Sequence, residues 1–126
     1  MIDPEARYHV LHRMVGPMEL LDGPRAFEYV GRHAGGTERY SLMEVALAAG
    51  SGTPSHYHRE AEETLYFLRG IGAVTVGPRT FQVIPEQAVF IPAAIPHQIR
   101  NTGDKEMVYL AVCQPAWSSE DTVRIE

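Results

Sequence analysis

Between Phe27 and Cys113 the chain never runs long without a turn signal, and this punctuation limits it to short strands. The apolar runs TLYFL, AVTV, TFQVI and MVYLAVC are rich in β-branched and aromatic residues, which favour a pleated, half-buried surface. Between them stand GSGTP (50–54), RGIG (69–72), GPR (77–79), IPEQ (84–87), IPAAIP (91–96) and NTGDKE (101–106). The 11 glycines and 9 prolines among 126 residues exceed the usual combined share of about 12%. This pattern predicts strands over Phe27–Val30, Arg39–Ala48, Pro54–His58, Thr64–Leu68, Ala73–Val76, Thr80–Ile84, Ala88–Ile91, Gln98–Asn101 and Glu106–Cys113. The fold class is therefore all-β, with antiparallel hairpins closing into a barrel or sandwich over a single domain, residues 1–126. Residues 5–22 read as an arm or short helix interrupted by Gly16-Pro17. Residues 114–126 read as a polar tail around Trp117 that folds back over the barrel.

Composition removes several classes of function. The net charge is −5 and no basic block is present, so no nucleic-acid partner is expected. No apolar run approaches the roughly 18 residues of a membrane span, and no cationic segment followed by an apolar one opens the chain. The expectation is a cytoplasmic protein with a small-molecule partner and no membrane partner. A single cysteine, Cys113, rules out an internal disulfide and a cysteine-based zinc cluster. No GxSxG, P-loop, GxGxxG or CxxC motif is present.

Chemistry concentrates in Gly50–Gly70, GSGTPSHYHREAEETLYFLRG. Alternate residues of a strand share a face, so His56 and His58 point the same way, with Cα atoms roughly 6.6 Å apart. Two imidazoles at that spacing can converge on one cation. Glu63 opens the next strand, and an adjacent antiparallel strand could bring its carboxylate to the same face. A third imidazole could come from His97, in FIPAAIPHQIRNTG. Three neutral imidazoles and a carboxylate suit Fe, Mn, Co, Ni, Cu or Zn, and leave one or two positions open on a five- or six-coordinate divalent transition metal. Other features read as structural. Tyr57 faces away from the histidines. Ser41, Met43, Val45 and Leu47 form the core face of their strand, opposite Tyr40, Leu42 and Glu44, with entry of Tyr40 and Glu44 into the pocket as the alternative. Leu65 and Phe67 share the parity of Glu63 and so line the cavity or fill the core, whereas Gln98 and Arg100 point outward. His33 is a solvated loop residue, and His9 and His12 form no second metal site. Cys113 is a buried, inert thiol and a bystander.

The segment resembles the first motif of the cupin family, G-x5-H-x-H-x4-E-x6-G, at Gly50, His56, His58, Glu63 and Gly70. The second motif, G-x5-P-x-G-x2-H-x3-N, is matched at Pro92, His97 and Asn101. Glu86 and Ala94 stand where it has glycines, which puts the turn geometry there in question. The motifs occupy residues 50–70 and 86–101. The resemblance implies a double-stranded β-helix, a small jelly-roll barrel with the metal inside, and maps His56, His58, Glu63 and His97 onto the four metal ligands. Glu62 is the alternative carboxylate, since some members space the motif one residue shorter. The stretch 35–58 looks like quercetinase-type small cupins. The resemblance thus implies a dioxygenase acting on a small oxygenated or enolic compound, with Glu63 as ligand and proton acceptor. The alternatives are a redox-neutral cyclase, isomerase or lyase that uses the metal as a Lewis acid, and a non-catalytic ligand-binding module. A homodimer is expected, through the N-terminal arm and an exposed strand edge.

Overall fold

The computed structural model describes residues 8–20 and 23–125, apart from the Arg13 side chain. A 3₁₀ turn at His12–Met14 precedes eleven strands. These are β1 Met18–Glu19, β2 Arg25–Val30, β3 Ser41–Leu47, β4 His56–His58, β5 Glu62–Arg69, β6 Gly72–Val76, β7 Arg79–Val83, β8 Ala88–Ile91, β9 His97–Asn101, β10 Met107–Gln114 and β11 Thr122–Arg124. They form a six-stranded sheet in the order β1-β2-β3-β10-β5-β8 and a five-stranded sheet in the order β11-β4-β9-β6-β7. Every strand pair within them is antiparallel. Neighbours in space are often distant in sequence, the crossing pattern of a jelly roll.

One hydrophobic cluster holds the sheets together. Met43, Val45, Leu47, Leu65, Phe67, Val89, Ile91, Met107 and Ala111 enter it from the larger sheet, and Val74, Val83 and Ile99 from the smaller. Strand parity decides which residues enter. On β5, Glu63, Leu65 and Phe67 are buried while Glu62, Thr64, Tyr66 and Leu68 face out. On β3 the same rule buries Ser41, Met43, Val45 and Leu47. The core face read from the sequence is therefore the observed one.

The strand ends depart from the sequence reading by at most two residues, and two strands were not foreseen. Strands β1 and β11 are two and three residues long, too short to carry a period-2 signal of their own. In the expected arm, the described part is the 3₁₀ turn and β1; residues 5–7 and 21–22 lie outside the described residues. The tail does fold back: β11 pairs with β4, and Trp117 packs against the core. Residue 126 lies outside the described residues.

The two positions that lack the second motif's glycines keep the turn geometry nonetheless. Glu86 has φ 71° and Ala94 has φ 65°, both left-handed. Each turn is pinned by hydrogen bonds to a neighbouring strand. The Glu86 N–H donates to the Phe67 carbonyl at 2.8 Å, and the Ala94 N–H to the His58 carbonyl at 2.7 Å. A side chain there costs about 1–2 kcal/mol against the Cβ–carbonyl clash. At Gly70 (φ 85°) no substitute fits, because a Cβ would lie 2.8 Å from Met107 Cα. Replacing Ala94 by glycine removes the clash but loosens the unfolded chain by about 0.4–1 kcal/mol. Ala94→Gly is accordingly expected to stabilise by up to about 1 kcal/mol, raising Tm by about 2–5 °C. Thermal melts followed by circular dichroism check this; a lowered Tm would contradict it.

Candidate metal centre

His56 and His58 project from β4 with Tyr57 between them, and all three alternate in burial as the sequence requires. His97 opens β9 and pairs directly with His56. Glu63 reaches the same point by a route the sequence did not indicate. Its strand, β5, does not neighbour β4 but belongs to the facing sheet, and the carboxylate crosses the barrel interior. Its Oε1 lies 3.6 Å from His58 Nε2 and 3.3 Å from His97 Nε2. The three histidines each offer a nitrogen within 4.8 Å of the others. All four side chains are buried. Glu62, on the outer face of β5, is exposed and apart from this cluster.

The backbone fixes which ring nitrogen each imidazole presents. His56 Nδ1 lies 2.8 Å from the Pro54 carbonyl, and His97 Nδ1 lies 3.0 Å from the Ile95 carbonyl. A carbonyl only accepts, so both Nδ1 atoms carry hydrogen. His58 Nδ1 lies 3.1 Å from Thr122 Oγ1. That hydroxyl spends its own hydrogen on the Ser118 carbonyl at 2.9 Å, so it accepts from His58. All three neutral rings therefore turn bare Nε2 lone pairs inward, the tautomer in which an outer acceptor orients a metal-binding histidine.

This leaves lone pairs facing a carboxylate. His97 Nε2 is buried and has no hydrogen-bond partner; Glu63 Oε1 lies 3.3 Å away, but two acceptors share no hydrogen. A divalent cation between Nε2 and Oε1 would satisfy both groups at once, so the donor set fits a transition metal.

Around the cluster, a cavity of about 30 Å³ is walled by Met43, Val45, Ile99 and Ala111, with Leu20 and Trp117 among its other lining residues. Tyr109 also lines it, and burial raises its phenol pKa, as does the nearby Glu63 charge. Leu65 and Phe67 fill the core instead of the cavity. A separate cavity of about 310 Å³ lies between the N-terminal segment and β2, lined by Val10, Met14, Met18, Tyr29 and His33. Glu28 borders it as well. One Glu28 oxygen accepts the N–H groups of His33 and Ala34, at 2.7 and 2.6 Å.

Four residues near the centre escaped the sequence reading in the roles they take: Thr122, Tyr109, Trp117 and Cys113. Cys113 is buried as expected, and its thiol lies 3.6 Å from Glu63 Oε2. The available signal was parity: Tyr109 and Cys113 alternate with Ala111 on the inner face of MVYLAVC.

The family model for the cupin domain matches residues 43–113. An uncharacterized protein of Methanocaldococcus jannaschii is 35% identical over 88 residues, 70% of each chain. The polyketide synthase CurC of Streptomyces cyaneus is 32% identical over 87 residues, covering 60% of this chain and 56% of CurC. Among solved structures, oxalate decarboxylase of Lactobacillus farciminis superposes with a TM-score of 0.77 at 23% identity. That match covers 90% of this chain but only 34% of the decarboxylase, and it is a likeness of fold.

Burial makes the cluster pH-sensitive. Burial first, and then the neighbouring His97, push the His56 pKa down to about 4. Between the folded value of His56 near 4 and its unfolded value near 6.5, the unfolded chain binds more protons, so stability falls as pH falls. For His56 this amounts to about 3 kcal/mol across that window. Metal-stripped protein is expected to lose Tm steadily from pH 7 to pH 4, and His56→Gln to flatten the slope. Melts across that range check it; a pH-independent Tm would contradict it.

Proposed function

Because this chain belongs to the cupin domain family, we propose that it is a metal-dependent enzyme acting on a small oxygenated or enolic organic compound. The observation that carries this reading is the inward set of three Nε2 lone pairs facing a buried carboxylate. His56, His58, His97 and Glu63 would hold the ion. When bound, a divalent transition metal supplies a Lewis acid with open positions for an oxygen ligand of the substrate and, in oxidative chemistry, for O₂.

The protein's own residues contribute orientation and dryness. Pro54, Ile95 and Thr122 lock the ring orientations through Nδ1. Met43, Val45, Ile99 and Ala111 exclude water from the reacting face. Leu20 and Trp117 line the cavity as well; its volume holds little more than a water-sized molecule, so an organic substrate displaces them to enter. Glu63, as ligand, is also the carboxylate placed to take up a substrate proton.

Dioxygenase chemistry is the first reading. Its balance needs only substrate and O₂, both oxygen atoms ending in product, and the apolar walls favour a neutral diatomic. The resemblance to a polyketide synthase component supports a second reading, a redox-neutral cyclisation or isomerisation. That chemistry needs a second proton-handling group, and Tyr109 is the titratable side chain besides the candidate ligands that lines the cavity among the described residues. A second copy of this chain is the proposed partner. Tyr66, Leu68, Phe90 and Val112 lie exposed on β5, β8 and β10 and offer an apolar face for it.

Metal analysis of untagged protein is expected to find about one transition-metal ion per chain. His56→Ala should weaken binding beyond the roughly 10–100-fold that outer-shell changes cost. With a panel of small enolic compounds, substrate-dependent O₂ uptake that survives in Tyr109→Phe selects the dioxygenase. Anaerobic turnover lost in Tyr109→Phe selects the redox-neutral reaction. Metal content unchanged in His56→Ala would overturn both.

A further inference from the structure

The inner face of the larger sheet carries a polar row where a core is expected. Ser41 on β3 pairs with Cys113 on β10, and Cys113 pairs with Glu63 on β5. Ser41 and Cys113 are 0% and 1% exposed. Three polar side chains side by side on a buried face cost desolvation unless they satisfy one another.

Their hydrogen bonds run in one direction. The Trp117 backbone N–H donates to Ser41 Oγ at 2.9 Å, which leaves the hydroxyl hydrogen free to turn toward the neighbouring Cys113. The Cys113 thiol in turn donates to Glu63 Oε2 at 3.6 Å. Glu63 Oε1 is left as the oxygen facing His58 and His97. The carboxylate is thus held by its far oxygen and presents the near one.

We propose that Cys113 is a positioning residue for Glu63: its thiol holds Oε2 so that Oε1 alone meets the metal. This rests on Glu63 being a ligand. The row ends at Trp117, which lines the cavity, so the same chain of hydrogen bonds ties the residue bordering the cavity to the ligand inside. Deleting one link leaves the carboxylate free to rotate about its last torsion and present either oxygen or both.

The test uses the full-length protein titrated with Co(II), read by affinity and by the visible ligand-field spectrum. Cys113→Val removes the donor and adds about one methyl group in volume; Cys113→Ser restores a donor. The expected result is a Co(II) affinity about 10-fold weaker in Cys113→Val, with an altered spectrum, and recovery toward wild type in Cys113→Ser. In a Glu63→Gln background, Cys113→Val should change nothing further. Because the chain has one cysteine, the infrared S–H stretch reports the same contact without metal. It should shift to higher frequency in Glu63→Gln. Wild-type affinity and spectrum in Cys113→Val, or an equal loss with and without Glu63, would overturn the proposal. Wild-type affinity in Glu63→Gln would instead overturn the ligand reading on which it stands. Melting curves for each variant separate loss of fold from loss of binding.

Discussion

The tightest constraint in this molecule is a confrontation of like with like. Three imidazole lone pairs and a carboxylate oxygen converge inside an apolar barrel, where unpaired charge and unmet lone pairs are most costly. Everything near them maintains that convergence. Two carbonyls and a threonine hydroxyl hold the ring tautomers, and a thiol holds the carboxylate. A sequence selected only for stability would replace such a set with aliphatic side chains of similar volume, often with a gain. That it stands at the centre of the sandwich argues for a role beyond folding.

The sandwich makes the arrangement possible by dividing the labour between its sheets. The smaller sheet supplies the histidines, from β4 and β9, whose pairing places His56 opposite His97. The larger sheet supplies the carboxylate from β5. A donor set split across two sheets forms only when both are packed in register, so the hydrophobic cluster that joins them also sets the site. The left-handed turns at Glu86 and Ala94 belong to this economy. One anchors the chain to Phe67 beside the core, and the other to His58 itself. Backbone strain there is held by the contacts around it, as strain near functional sites commonly is.

Much of this was legible in the chain, for a physical reason that also marks where legibility ends. Parity along a single strand is local, so the shared face of His56 and His58 and the burial of Ser41, Met43, Val45 and Leu47 could be read directly. The partner of a strand is not local. Nothing in EAEETLYFL says that β5 lies across the barrel from β4 instead of beside it, and so the path of Glu63 was misjudged while its meeting with His58 and His97 was anticipated. Cys113 shows the same limit. Its burial follows from MVYLAVC alone, but its neighbour on the next strand is fixed by register. Motif departures mislead differently: Glu86 and Ala94 suggested altered turns, because residue identity reports the ease of a conformation and not whether the surroundings enforce it.

Charge arithmetic narrows what the proposed centre would prefer to bind. Three neutral imidazoles and one carboxylate carry a charge of about −1, so a divalent ion would leave about +1. In an apolar cavity that residual charge acts at low effective dielectric and attracts an anionic oxygen more strongly than it would in water. Tyr109, kept neutral by burial and by Glu63, adds no negative charge to oppose it. The chain's overall charge of −5 is spread over a surface bathed in salt, where it is screened beyond about 10 Å. A site of this kind favours a substrate that becomes an enolate or similar oxyanion as it binds. Both proposed reactions begin from that state, which is why the donor set by itself does not choose between them and the residues bordering the cavity must.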